Sequence, residues 1–448
     1  MFPWHDFRTF LDYLEKEGQL VRIKKPVSVK HEIAAHIRKS SDVGGPAFLF
    51  ENIDGYPGWT AAAALYATHR RITMALQTTV DGALGVFQRA VANPIKPKIV
   101  KSGPCKEIIW TGAQVDLYKL PHVTHHIRDA GPYITGAVQI AKDPDTGVRG
   151  LGIYRMQVIG KDRFAIWAPR ERRVGRSGLK SEERGQAQPV AIALGVDPLV
   201  EQGSVARVPH GIDKFDIAGG LLGHPVELVK CETIDEEVPA DTEIVIEGEY
   251  VPNERAPEAP FGEFTGCYSP ERQVPVVRAK AITMRRNAIY HSLLTGFPVT
   301  EDHLLNWIPL CEVLYRSASA VCPEVKAVNV RGNYVYEALV AIKKRQDGEP
   351  YNVMAAVLAG ASQAKYCMVV DEDVNIFDDR DLDWALCTRV QPHRDVHIFP
   401  IMVGAPLDPS APIVRHTSKM GIDATIPLGE DRAPYQRCLV PGADEVTW

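Results

Sequence analysis

Glu258 and Glu263 stand on either side of a Pro-Phe-Gly in the stretch PEAPFGEFTG, residues 257–266, which is too rich in Pro and Gly for a helix or a central strand. Two carboxylates held close together cannot both ionise cheaply, so such a pair is a recurrent source of a general acid. It also calls for a cation to keep one member ionised. Arg suits best, because its planar fork matches a carboxylate, but the spacing does not say which Arg. On spacing alone, a surface loop with two solvated glutamates is the simpler reading. His122, His125 and His126 in HVTHH have the look of a metal cluster, yet no partner segment at ligand spacing accompanies them, which points to structural or surface histidines. RGLGIYR is not a dinucleotide fingerprint, and there is no phosphate-binding Walker loop, no Gly-x-Ser-x-Gly elbow and no cysteine with a recognisable histidine partner.

The elements that must carry these residues alternate along the chain. Phe7, Phe10, Leu11 and Leu14 recur at helical spacing ahead of Gly18, and QLVRI and PAFLFENI read as strands around a second helix near HEIAAHIRKS. The Pro-rich NPIKPKIVKSGPCKE is the best candidate for a linker. From about Gln114 to Ala288 strand signals dominate, in AVQIAKD, RFAIWA, PVAIALGV, VELVKCET, TEIVIEGEYV and VVRAKAITM, as in a β-rich barrel or sandwich with a site in its mouth. After Thr300 helices and strands alternate again. The expected class is α/β (α+β): an N-terminal α/β domain over 1–112, a central β domain over 113–299 and a C-terminal α/β domain over 300–448 that ends in an oligomerisation tail.

Composition narrows the function. The chain has 448 residues, which implies more than one domain, and a net charge of −5, with no basic block interleaved with aromatics, so nucleic acid is not an expected partner. The N-terminus lacks a signal-peptide pattern, and no run approaches the ~18 apolar residues of a membrane span. Eight scattered cysteines without a Cys-x-x-Cys pair suit reduced thiols in the cytoplasm.

GIYRMQVIG, ALGVDP, VPADTEIVIEGE, APFGEFTG, VVDEDVN, WALCTR and SKMGIDAT occur in this order, and together they resemble the UbiD family of reversible decarboxylases over nearly the whole chain, to about Pro427. The resemblance implies a split β-barrel holding prenylated FMN, a cofactor made by a flavin prenyltransferase of the UbiX type. It also implies loss or gain of carbon dioxide on a small carboxylic acid, and a homodimer or a hexamer of dimers. The family's Arg-Glu-Glu/Asp set matches Arg155, Glu258 and Glu263, with Arg155 orienting Glu258 and touching the flavin and Glu263 moving the proton. Ile153, in the same segment as Arg155, belongs with the cofactor contacts, and Lys365 in AKYCMVV matches a lysine near the cofactor phosphate; a solvated lysine at a strand start is its ordinary alternative. His303, in the first turn of a helix that Thr300 could cap, is a candidate substrate contact or an ordinary first-turn histidine.

The departures from the family concern metal. Relatives use a divalent ion, usually manganese with potassium nearby, held by an Asn, a His and a Glu, and here Gly150, Arg170 (or Glu171) and Lys214 stand at those positions. One reading is that Arg170, Lys214 and Arg207 neutralise the cofactor phosphate without metal. In the other, the chain is a structural or regulatory subunit that does not bind prenylated FMN in the usual way; an FMN-dependent oxidoreductase is a third. Retention of all three acid-base residues favours the first. LLTGFPVTEDHLL is too polar for a prenyl tail, which points to a small aromatic, heteroaromatic or α,β-unsaturated acid.

Overall fold

The computed structural model describes residues 2–331, 337–411, 413–438 and 440–442; residues 443–448 of the expected C-terminal tail lie outside the described residues. The architecture is mixed α/β, in two compact units, Met1–Pro309 and Leu310–Trp448.

The first unit opens with the helix Phe7–Lys16, whose buried face is the expected Phe7, Phe10, Leu11 and Leu14. Asp6 caps it by accepting from the Thr9 amide at 2.9 Å. The strands Leu20–Ile23, Ala47–Phe50 and Thr60–Ala63 follow, and the fourth strand of their sheet, Ile289–Ser292, comes from far along the chain. The Pro-rich linker expected over 93–107 is instead built into the fold. Lys98–Ile99 pairs in parallel with Glu227–Lys230, and the Lys98 and Val100 amides donate to Val226 and Leu228 at 2.9 and 2.7 Å. Its prolines lack donors, but the amides between them suffice to dock an edge.

The β-rich centre is a nine-stranded sheet. Its main path runs Tyr133–Ile134, Met156–Val158, Arg163–Ile166, Arg272–Met284, Ile244–Glu258, Gln188–Leu194, Ala137–Lys142 and Arg149–Ile153, with Ile108–Thr111 paired beside Arg272–Met284. Arg149–Ile153, at one end, is joined to Met156–Val158, next to the other end, by Tyr154 and Arg155 alone. The three Cα steps from Ile153 to Met156 span at most ~11 Å, so the sheet must curl until its ends nearly meet: a barrel split at Arg155. Fully buried Ile134, Phe164, Val190, Ile192, Ile246 and Ile282 pack with residues of the N-terminal sheet in one core.

The second unit is a five-stranded sheet in the order Val325–Val330, Glu337–Ile342, Tyr366–Asp371, His416–Ala424 and Val396–Val403. The helix Asp379–Arg389 packs on it over Leu339, Met368, Val370 and Ala424, while Glu349–Gly360 lies against Tyr366–Asp371 and His416–Ala424, with Met354 at Gly421.

Candidate active site

Glu258 does not sit in a loop, as its neighbouring prolines suggest, but ends the strand Ile244–Glu258, opposite Arg272 of the antiparallel partner strand. Its carboxylate is fully buried. Arg155, at the split of the barrel, chelates it through Nε at 2.7 Å and Nη2 at 2.9 Å, and Nη2 also donates to Ser269 Oγ at 3.1 Å. The remaining nitrogen, Nη1, meets Oε1 of Glu263. One guanidinium thus ties together both acids, which lie five residues apart on either side of the Pro-Phe-Gly. Its plane is held by rings, with Trp167 at 4.7 Å and Phe261 at 4.9 Å. The Tyr133 hydroxyl lies 3.2 Å from Glu258 Oε1. Burial, and then the charge of Glu258, pushes that phenol up, so Tyr133 stays a donor.

Glu263 begins a tight turn between the short strands Phe261–Gly262 and Tyr268–Ser269. The Glu263 amide donates to Cys267 O at 2.9 Å and the Gly266 amide to Glu263 O at 2.8 Å, with Gly266 at φ +77°, a left-handed geometry that glycine adopts without strain. His303 is buried in the first turn of the helix Glu301–Leu305. Its Nδ1 accepts from the Thr300 amide at 3.1 Å, so the proton sits on Nε2, which donates to Phe264 O at 2.7 Å. Burial lowers its pKa and keeps the ring neutral.

A second cluster is cationic. Lys214 starts the helix Lys214–Leu222, and its ammonium is buried against the Leu151 and Ser204 carbonyls at 2.8 and 2.6 Å. Burial, followed by the charges of Arg173, Arg172 and Arg207, pushes Lys214 well below its usual value, and Arg207 is brought down to about 9 by burial and then Arg172. Arg173 donates to the Val208, Pro209 and Ile212 carbonyls and so latches the loop ahead of Lys214. Arg170 is exposed on the turn before the helix Arg173–Glu183, Ile153 is half-buried, and Lys365 lies in the second unit, held by Asp408 at 2.7 Å and Ser410 at 2.6 Å.

Gathered positive charge that depresses its own pKa values suits a phosphate, whose arrival relieves the repulsion. It does not suit a divalent metal. A Cβ at Gly150 would lie 2.7 Å from Cβ of Arg173, so no ligand side chain fits there, and Lys214 brings a donor where an acceptor is needed. Among the described residues no group of three or more His, Cys, Asp or Glu side chains is placed to hold a metal ion. His122 is instead buried 3.0 Å from Tyr290 Oη and His125 3.3 Å from Ser292 Oγ, with pKa values lowered by burial to about 3 and about 4. Sequence reasoning missed Tyr133, Trp167 and Ser269, which carry no local signal. It also missed Arg172 and Arg173, although four Arg in the seven residues of RERRVGR offered one.

Comparison with known proteins covers nearly all of this chain. Residues 98–298 match the Rift-related domain of 3-octaprenyl-4-hydroxybenzoate carboxy-lyase, residues 306–424 its C-terminal domain and residues 11–90 its N-terminal domain. Among solved structures, the UbiD-class enzyme HmfF from Pelotomaculum thermopropionicum, in complex with FMN, is 39% identical, with a TM-score of 0.93 and coverage of 99% of both chains. An evolved dimeric form of HmfF in complex with prFMN is 38% identical with a TM-score of 0.90, again over 99% of both chains. The vanillic acid decarboxylase of Sedimentibacter hydroxybenzoicus is 32% identical with a TM-score of 0.88, covering 99% of this chain and 97% of that one.

Proposed function

The chain belongs to the UbiD family of carboxy-lyases, and from that premise we propose that it reversibly decarboxylates a small aromatic, heteroaromatic or α,β-unsaturated carboxylic acid with prenylated FMN. The observation that carries this reading is the single guanidinium of Arg155 joining Glu258 and Glu263 at the split of the barrel. Decarboxylation leaves an electron pair on carbon, and prenylated FMN, when bound, supplies the sink for it. The rest falls to the protein. Arg155 fixes both acids, Glu258 holds the Arg155 fork through both its oxygens, and Glu263 moves a proton to and from the carbon that loses the carboxylate. Phe261 and Trp167, flat against Arg155, keep water from the guanidinium.

Lys214 and Arg207, reinforced by Arg172 and Arg173, would hold the cofactor phosphate by charge-assisted bonds without metal; the lowering of Lys214 by burial and then by the three arginines, and of Arg207 by burial and then by Arg172, supports this. Ile153 and Arg155 would line the flavin. The polar Thr295 and Asp302, 3.1 Å apart within LLTGFPVTEDHLL, favour a small substrate over a prenylated one. A flavin prenyltransferase would supply the cofactor, and the expected assembly is a homodimer or a hexamer. A cytoplasmic location agrees with eight free cysteines and with the lack, among the described residues, of any helix long and apolar enough to cross a membrane.

The test is Glu263→Gln, which should abolish turnover and isotope exchange at the product carbon while bound flavin remains; unchanged exchange refutes the assignment. Lys214→Ala with Arg207→Ala should strip the flavin, whereas chelators should leave wild-type turnover intact. One tightly held manganese per chain overturns the metal-free phosphate site.

A further inference from the structure

Resting on the reading of Glu263 as the proton carrier, we propose that Asp129 and His303 are positioning residues that clamp the backbone on either side of Glu263 and so set the distance over which its proton moves. The turn that carries Glu263 has little hold of its own. Gly266, Cys267 and Tyr268 are exposed, and the bonds within the turn are those of Glu263 with Cys267 and Gly266 and a 3.3 Å bond from the Cys267 amide to Thr265 Oγ1. Both flanks are nevertheless fixed from outside. On the N-terminal side, Asp129 Oδ1 accepts from the Gly262 amide at 3.0 Å, while Oδ2 accepts from the His126 and His125 amides at 2.8 and 3.2 Å. The Asp129 carboxylate is fully covered, and the Ala130 amide adds a bond to Pro260 O at 2.9 Å. On the C-terminal side, His303 Nε2 holds Phe264 O at 2.7 Å.

The two clamps therefore grip residues 262 and 264, the immediate neighbours of Glu263, and each comes from a segment ordered by its own bonds. The His126 ring completes the seat. A Cβ at Gly262 would run into it, and one at Gly296 would lie 2.7 Å from its Nε2, so two glycine backbones lie directly on the imidazole. Burial works to raise the Asp129 pKa, but the His126 bonds outweigh it and hold the carboxyl below its usual range, an ionised acceptor at neutral pH. A Glu side chain reaches through three rotatable bonds, and Arg155 holds only its tip. Fixing the backbone on both sides removes the remaining freedom, and a shift of ~1 Å in a reacting group costs on the order of a hundredfold in rate.

The experiment compares Asp129→Asn, His303→Leu and His303→Gln with wild type by backbone amide exchange over residues 261–268 in the chain without cofactor. The same proteins loaded with prenylated FMN then give kcat and KM separately. Gln at 303 can accept from Thr300 and donate to Phe264, and serves as the conservative rescue. Asp129→Asn and His303→Leu should speed loop exchange about tenfold or more and lower kcat about tenfold to a hundredfold with KM nearly unchanged, and His303→Gln should restore both. Unchanged loop protection, unchanged kcat in a loosened loop, or a Gln variant no better than Leu overturns the proposal. A wild-type chain that binds flavin but catalyses nothing brings down the proton-carrier reading and the catalytic half of this one, while amide exchange still decides the clamp.

Discussion

Replacing Arg155 with Met removes the one cation that joins two buried carboxylates, Glu258 at 0% and Glu263 at 5% exposure. Two charge-assisted bonds to Glu258 and the ion pair with Glu263 disappear, along with the bond to Ser269. The stacking against Trp167 and Phe261 changes less, since a thioether on aromatic faces recovers ~0.3–1.5 kcal/mol of a cation–π term of similar size. The dominant loss is that of a partner to buried charge, about 3–5 kcal/mol. Urea unfolding of Arg155→Met at neutral pH should show that loss, and show it equally in low and high salt, because a buried pair is screened little. Arg155→Lys keeps the charge but cannot chelate Glu258 while reaching Glu263, and should cost only ~1–2 kcal/mol in stability. Its turnover should still fall about a hundredfold, because the fork that aligns the acids is gone. An Arg155→Met protein within ~1 kcal/mol of wild type refutes the reasoning: the guanidinium would then not be what makes burial of the two acids tolerable.

Gly150→Asn should not create a metal site. Its Cβ would meet Arg173 Cβ at 2.7 Å, so the variant should lose about 1–3 kcal/mol by thermal or urea unfolding and gain no manganese affinity. Glu201, buried beside Tyr66 at 2.8 Å, has its pKa raised to about 8 by burial. Its contribution to stability is therefore complete below the ordinary carboxylate value and is lost as pH rises through about 8, with a slope of up to ~1.4 kcal/mol per pH unit. Glu201→Gln should flatten that slope in urea unfolding between about pH 5 and about pH 8, and an unchanged slope excludes Glu201 as its source.

The local pattern of this chain carried much of the answer. The stripe of Phe7, Phe10, Leu11 and Leu14, the strand-rich middle and the alternating end are consequences of hydrophobic period, which each segment expresses on its own, and seven short motifs in order carried the family. The PEAPFGEFTG stretch also showed where two acids are brought together, because Pro and Gly restrict the backbone whatever surrounds it. Local pattern misled where pairing partners lie far off. Residues 93–107 read as a linker because the strand that accepts them, Glu227–Lys230, lies more than a hundred residues away. Glu258 read as a loop residue because its cross-strand partner Arg272 lies beyond the turn. Spacing left open which of the chain's many arginines meets the acids; the family resemblance pointed to Arg155, and the curled sheet supplies the physical reason. Arg155 reaches Glu258 across 103 residues of sequence, because curling of the barrel brings its split beside the end of Ile244–Glu258. The same holds for the seat of Glu263, since Asp129 and His303 lie 133 and 39 residues from the atoms they hold. Periodicity acts between neighbours along the chain, while the register of long-range contacts is set only when the whole core packs, and it is that register which turns scattered polar residues into a site.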